Sequence, residues 1–376
     1  MWQLDPVHQS LLQQAEQVGR DLVAVAESGE PGRVNRGLLE GLASEGLLGR
    51  VFPESGEVSA LALCVIRQGL ARSCLPAAEL LAVHGLGSYP IRQSGSSQQR
   101  AQWMPDLAGG RAVAAFALTE PGAGSDAGNL ALAAEKDGSG YRLTGDKTYI
   151  SNAPDADIYT VFARTTPDTG ARGVTAFVVQ AGSPGLTGEA IELLSPHPIG
   201  RLRFEGVPVR TDHIVGRRDE GFRVAMRTLD LFRPSVGAFA VGMGEAALRM
   251  AIAHAQERVA FGQPIAAYQA VSHNLANMAV SLEASRHLVY SAASAHDRGD
   301  SDLLTGLAAA AKVYATEAAQ EVVDAAIQIL GARGLEANHP LAHLYKDVRA
   351  PRIYEGTSEI QRNIIARELL RGRWPL

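Results

Sequence analysis

Residues 137–163 read Asp137-Gly138-Ser139-Gly140-Tyr141-Arg142-Leu143-Thr144-Gly145-Asp146-Lys147-Thr148-Tyr149-Ile150-Ser151-Asn152-Ala153-Pro154-Asp155-Ala156-Asp157-Ile158-Tyr159-Thr160-Val161-Phe162-Ala163. Short runs rich in β-branched and aromatic residues alternate here with turn formers. Tyr141–Thr144, Lys147–Ser151 and Ile158–Ala163 are strand candidates, and Val174–Gln180 is a fourth. Asp137-Gly138, Thr144-Gly145-Asp146 and Pro154-Asp155 are the turn signals between them. Leu202, Phe204, Val207 and Val209 add one more strand, or two with a bulge.

On both sides of this stretch the pattern becomes helical. Leu11, Ala15, Val18, Leu22 and Val25 fall on one helical face, and Ala/Leu-rich stretches continue to about Leu107. The character changes near residue 113, and helix returns after Gly221. Leu275, Met278, Leu282 and Val289 mark one long amphipathic face. Val323, Ile327 and Leu330 mark another, with Gly331 as its C-cap. Helices and strands kept in separate runs argue against an alternating parallel α/β fold. The expected fold is multi-domain α+β: an N-terminal α-helical domain (1–112), a small central β-domain (113–216) and a C-terminal α-helical bundle (217–376).

Composition narrows the function classes. The chain has 376 residues, with 35 Lys+Arg against 40 Asp+Glu and a formal charge of −5. Mild acidity argues against nucleic acid as a partner, because phosphate binding needs a basic footprint. The longest purely apolar runs, Ala60–Ile66 and Ala112–Leu118, fall short of the ~20 residues of a spanning helix, so no membrane span is expected. Met1–Asp5 lacks the basic flank and apolar core of a signal peptide. Cys64 and Cys74 are the only cysteines, which excludes a disulfide scaffold and a cysteine-rich zinc site. These features lead to the expectation of a soluble cytoplasmic enzyme.

Three segments carry candidate chemistry. Thr119-Glu120-Pro121-Gly122-Ala123-Gly124-Ser125-Asp126 offers backbone N–H groups and hydroxyls to an anion. Its glycines do not fit G-x-G-x-x-G, and no βαβ context follows, so a Rossmann loop is a poor reading; a plain turn into the β-domain stays open. Tyr354-Glu355-Gly356-Thr357-Ser358-Glu359-Ile360-Gln361-Arg362 sets an acid beside Gly and Thr ahead of a helix-like run. Taken alone, Glu355 reads more readily as a solvated carboxylate or a helix N-terminal acid than as a catalytic group. Arg258-Val259-Ala260-Phe261-Gly262-Gln263-Pro264-Ile265 places a cation and an aromatic three apart at a helix end. No metal-ligand spacing stands out. His339 and His343 are four apart, but Pro340 lies between them.

Together these segments resemble the acyl-CoA dehydrogenase family, in the family's order and over nearly the whole chain. The match is to the common subgroup, which keeps its base in the YEGTSE motif. The resemblance implies a helix–β–helix fold ending in a four-helix bundle, FAD, a thioester substrate and a homotetramer, less often a dimer. Thr119, Gly124 and Ser125 match positions against the flavin and its phosphates, and Ser125 also matches a contact to the pantetheine arm. In Lys147-Thr148-Tyr149-Ile150-Ser151-Asn152, Tyr149 replaces the usual Trp that stacks on the isoalloxazine, and Ser151 keeps the hydroxyl aimed at flavin N5. Arg258, Phe261 and Gln328 match residues that reach the FAD of a neighbouring subunit. Gly331 follows them in the motif, and Ala332 stands where the family has a second Gly. Thr357 and Glu359 match flavin contacts. Asp230, Arg233, Tyr354 and Gly356 match the substrate side.

The resemblance further implies that Glu355 is the catalytic base and that Arg233 helps orient it. The alternative base position, before the Arg of Leu229-Asp230-Leu231-Phe232-Arg233, holds an apolar Phe232. Glu355 would remove the α-proton of an acyl-CoA, while its backbone N–H and the FAD ribityl hydroxyl hold the thioester carbonyl. Hydride would pass to FAD N5, leaving the trans-2-enoyl thioester, and an electron-transferring flavoprotein or another acceptor would reoxidise the flavin. A carrier-protein-bound substrate in a biosynthetic pathway, an acyl-CoA oxidase and a non-catalytic scaffold are the alternatives. The segment Leu194-Ser195-Pro196-His197-Pro198-Ile199-Gly200-Arg201 is shorter than the family pattern.

Overall fold

The spacing of Leu11, Ala15 and Val18 closes a helix over Pro6–Asp21 in the computed structural model, which describes residues 4–53 and 56–374. Asp5 caps this helix by accepting the His8 N–H at 2.9 Å, and Pro6 occupies the first turn, where no N–H is needed. The helix stops one residue before Leu22. Val25 therefore belongs to a separate short helix, Val23–Glu27, and is only half-buried. The expectation that residues 1–5 lack a leader falls partly on residues 1–3, outside the described residues.

The order along the chain is N-terminal helices, a middle β-region and C-terminal helices. The fold gathers into two compact units. One holds Met1–Val23, Ser59–Ala78 and Asp230–Leu376; the other holds Ala24–Val58 and Glu79–Leu229.

In the first unit the long helices are Gln269–Asp297, Ser301–Leu330 and the later part of Gly221–Glu257. Met278, Leu282, Val289, Val323 and Leu330 are buried, as the periodicity requires, and Gly331 (φ 61°) caps the helix Ser301–Leu330 through its N–H to Ile327 O. Helix Ala60–Ala71 is capped from a distance: Asp297 accepts the Ala60 N–H at 2.7 Å and the Ser59 hydroxyl at 2.6 Å. Burial raises the Asp297 carboxyl, but hydrogen bonds from His296, from Ser59 and from the Ala60 and Leu61 N–H groups hold it below its ordinary range. Cys64 and Cys74 are buried and form no disulfide, and burial pushes the Cys64 thiol far up. Gly221–Glu257 is long and apolar enough to cross a membrane by length and composition. However, 67% of its most apolar window is buried within the protein, as befits a core helix.

The second unit is built on an eight-stranded sheet: β1 (Ala114–Ala117), β2 (Ala133–Asp137), β3 (Gly140–Ser151), β4 (Ile158–Arg164), β5 (Val174–Gln180), β6 (Leu186–Ala190), β7 (Ile199–Arg210) and β8 (Ile214–Val215). The order is β6-β7-β3-β2-β4-β5-β8, with β1 parallel to β4. Asp137-Gly138 and Pro154-Asp155 turn the chain as expected. Thr144-Gly145-Asp146 does not. β3 runs through it as one strand, and the ladder slips between Leu143 and Thr144. Gly145, at φ 138°, sits against Leu132 and pairs with Phe204 inside the ladder, so the turn signal lies within a continuous strand. β7 is likewise one strand; its side of the slip is at Gly206 (φ 66°).

Candidate active site

In the β-unit, the Thr119–Asp126 loop leaves β1 and is closed by a reciprocal backbone pair. Glu120 N–H donates to Ala123 O at 3.2 Å, and Ala123 N–H donates to Glu120 O at 3.1 Å. The Glu120 side chain turns inward and accepts the backbone N–H groups of Ala131 and Leu132. It also accepts the Lys147 ammonium at 2.8 Å, and Lys147, with no exposed side-chain surface, donates to Leu118 O at 2.8 Å. Burial pulls the Lys147 amine down to about 8, against the opposing pull of Glu120. This pair fastens the loop to β3. The outer half of the loop is open: Gly124 and Ser125 are exposed, and a methyl group at Gly122 or Gly124 would meet no atom within 4 Å.

β3 slips a second time between Lys147 and Ile150. Tyr149 is thrown outward there, 58% exposed and held at φ 54°. A bulky side chain in the left-handed region is unusual and marks a site rather than a core position. Thr148 N–H bonds to Thr119 O at 3.0 Å, which sets the half-buried Thr119 beside this outward turn. Ser151 is half-buried, with Oγ 2.9 Å from His197 Nε2.

In the helical unit, Glu355 and Gly356 form a left-handed turn (φ 52° and 91°) ahead of the helix Ser358–Leu370. Thr357 caps that helix, and Glu359 is exposed in its first turn. Two side chains hold the turn by its carbonyls. Lys312 Nζ donates to Gly356 O at 2.7 Å, and Gln361 Nε2 donates to Gly356 O at 3.0 Å and to Glu355 O at 3.2 Å. The Glu355 carboxyl is buried, and its Oε2 has no hydrogen-bond partner among the described residues. Burial pushes this carboxyl up from its ordinary range, while Arg67, Arg233 and Lys312 pull it back down. Arg233 Nη1 donates to Asp230 at 3.1 Å. Arg67 donates to Ser235 Oγ at 3.1 Å and lies 4.9 Å over the Phe239 ring. The result is an unpaired buried carboxylate oxygen in a cationic surround, the arrangement suited to accepting a proton from carbon.

The sequence-derived site residues thus fall into three places. Thr119, Gly124, Ser125, Tyr149 and Ser151 belong to the β-unit. Glu355, Arg233, Asp230, Tyr354, Gly356 and Thr357 lie in the helical unit on two elements, the helix Gly221–Glu257 and the segment before Ser358. Phe261 sits on an exposed hairpin, Val259–Pro264, and is 96% exposed, with exposed Arg258 immediately before the hairpin; Gln328 and the cap residue Gly331 are exposed at the C-terminal end of Ser301–Leu330. Four residues to which the sequence reading gave no role join them: Arg67 and Lys312, outside the quoted motifs, and Gln361 and His197, inside quoted segments. For two of these the signal was present, a lone cation inside an apolar run (Ala60–Ala71 and Leu307–Val313).

Residues 5–111, 115–207 and 219–370 match, in order, the N-terminal, middle and C-terminal domains of acyl-CoA dehydrogenase. The chain belongs to the acyl-CoA dehydrogenase family. An acyl-CoA dehydrogenase of Bacillus subtilis (strain 168) is 39% identical over 89% of this chain and 90% of its own length. Butyryl-CoA dehydrogenase from Megasphaera elsdenii superposes with a TM-score of 0.92 at 34% identity, over 99% of this chain and 100% of the other. PigA, solved with FAD and proline, superposes at 0.93 with 27% identity over the same shares. This acyl-CoA dehydrogenase family member is an oxidoreductase and a flavoprotein. Its residues fit the flavin: an outward aromatic face at Tyr149, hydroxyls at Thr119, Ser125 and Ser151, and glycines at 122 and 124 that no internal contact requires. Ala332 is exposed.

Proposed function

We propose that this protein is an α,β-dehydrogenase of an acyl thioester, with Glu355 as the base and FAD as the flavin. The observation that carries this reading is the buried, unpartnered Oε2 of Glu355 among Arg67, Arg233 and Lys312. Acidity at the α-carbon depends on stabilising the enolate-like charge, and the backbone N–H of Glu355 polarises the thioester carbonyl for this. Burial pushes the carboxyl up, and the charges of Arg67, Arg233 and Lys312 oppose that rise and favour the ionised form that takes the α-proton. When bound, the flavin supplies the two-electron acceptor for the β-hydrogen. Thr119, Ser125 and Tyr149 hold the cofactor on the β-unit, and coenzyme A is the proposed thioester carrier.

Anaerobic addition of a panel of acyl-CoAs to the purified protein tests the reading. Bleaching of the flavin spectrum by one of them supports it. A flavin bleached only by carrier-protein thioesters reassigns the carrier, and a protein that cannot be loaded with FAD removes the enzyme reading.

Lys312 gives a pH-dependent test. Its cation lowers the Glu355 carboxyl, so Lys312→Met raises it further, and the acid limb of the kcat/KM profile moves to higher pH. Burial brings the Lys312 amine down to about 8, so parent and variant converge as pH rises through that value. An acid limb unmoved in the variant contradicts the electrostatic role.

The exposed hairpin carries the assembly proposal. Phe261 and Arg258 are offered to a second copy of the chain, in a homotetramer whose FAD sites span subunits. Arg258→Ala is expected to lose flavin on dialysis severalfold faster than the parent, and an unchanged flavin content contradicts the cross-subunit contact. Proposed reoxidation is by an electron-transferring flavoprotein.

A further inference from the structure

His197 lies in the segment that is shorter than the family pattern, and the two residues that follow it are held by backbone bonds. Ile191 N–H donates to Ile199 O at 2.8 Å, and Asn152 N–H donates to Pro198 O at 2.8 Å. The imidazole is thereby seated at the end of β3. Its Nε2 is 2.9 Å from Ser151 Oγ. Its Nδ1 is buried, makes no hydrogen bond among the described residues, and lies 3.4 Å from Oε2 of Glu79, on the helix Leu75–Ser94. All three residues belong to the β-unit.

The chemistry of the three groups fixes the direction of the array. A carboxylate only accepts, and a neutral imidazole carries one donor and one acceptor nitrogen. The hydrogen therefore belongs on Nδ1, facing Glu79, and Nε2 is left as the acceptor. Ser151 then spends its only hydrogen on Nε2. On every other side its oxygen offers lone pairs alone.

We propose that His197, oriented by Glu79, is a positioning residue that commits the Ser151 hydroxyl to act as a hydrogen-bond acceptor toward the flavin. This rests on the flavin reading above, with Ser151 facing the ring. An acceptor at that place favours the flavin state that carries an N–H over the state with a bare ring nitrogen. Without His197 the hydroxyl is free to donate, and that preference is lost.

Two measurements test the assignment. Nitrogen NMR of histidine-labelled protein reads the His197 ring directly, without turnover. The Nδ1–H form with a bare Nε2 is expected, with a shift at Nε2 in Ser151→Ala; a ring protonated on Nε2 overturns the proposal. The second measurement is the ratio of oxidised to reduced FAD at a fixed reference potential. One hydrogen bond is worth about 1 kcal/mol, so His197→Leu is expected to raise that ratio roughly fivefold. His197→Gln, which keeps an acceptor for Ser151, should stay near the parent. In a Ser151→Ala background the His197→Leu effect should vanish. An unchanged ratio in His197→Leu, or an equal change in both backgrounds, overturns the proposal. Failure of the parent to load FAD overturns the flavin reading and this assignment together, and it is recognised by the parent's own spectrum.

Discussion

The Glu355→Gln variant is expected to fold, to bind thioester and to lose about a hundred- to ten-thousandfold in the rate of flavin reduction. Glutamine keeps the shape of the side chain and removes its capacity to take a proton. The fold tolerates the change because the turn is held through backbone carbonyls, by Lys312 and Gln361, and not through the carboxyl group. The affected oxygen, Oε2, makes no hydrogen bond that the change would break. Single-turnover bleaching under anaerobic conditions isolates this step from reoxidation. A variant within tenfold of the parent would move the base to another residue. Uptake of substrate without bleaching, seen as a perturbed flavin spectrum, separates lost chemistry from lost binding.

The largest expected loss of stability follows Glu120→Ala. Removing one partner of a buried ion pair leaves the other charge uncompensated, which costs about 3–5 kcal/mol. Here the loss is compounded, because Glu120 also accepts the Ala131 and Leu132 N–H groups. The surface pair Arg201–Glu189 supplies the contrast. Its side chains are 59% and 67% exposed, so Glu189→Ala should cost about 0–1 kcal/mol. Urea midpoints of the two variants, measured side by side, decide the matter. Equal midpoints would mean that the buried pair does not hold the loop. Because the loop carries Thr119 and Ser125, loss of flavin should accompany the loss of stability.

Much of the fold was legible because the strongest signals are periodic. The helix faces through Met278 and Leu282 and through Val323 and Leu330 obey a spacing that only a helix buries on one side. The errors came where tertiary contacts override local preference. Gly145 has the chemistry of a turn residue, yet pairing with β7 carries the strand through it. β1 is Ala114-Ala115-Phe116-Ala117, a poor strand former by composition, and it becomes a strand because Ile158–Val161 supplies a parallel partner. In the candidate site, Glu355 and Arg233 were reached through the motifs that contain them. His197 and Glu79 are 118 positions apart, so only the fold brings them to 3.4 Å. Lys312 was visible as a charge in an alanine run, but its target, a carbonyl oxygen, leaves no trace in side-chain identity.

The two buried thiols make the protein its own clock. Thiolate, not thiol, reacts with alkylating reagents, and a sealed, raised thiol such as Cys64 reacts only when the surrounding structure opens. Cys64 and Cys74 both belong to the helical unit. The rate at which a thiol reagent is taken up therefore times the opening of that unit alone, with no label to introduce. Compared with the disappearance of flavin colour, it tells whether the cofactor leaves before or after that unit opens.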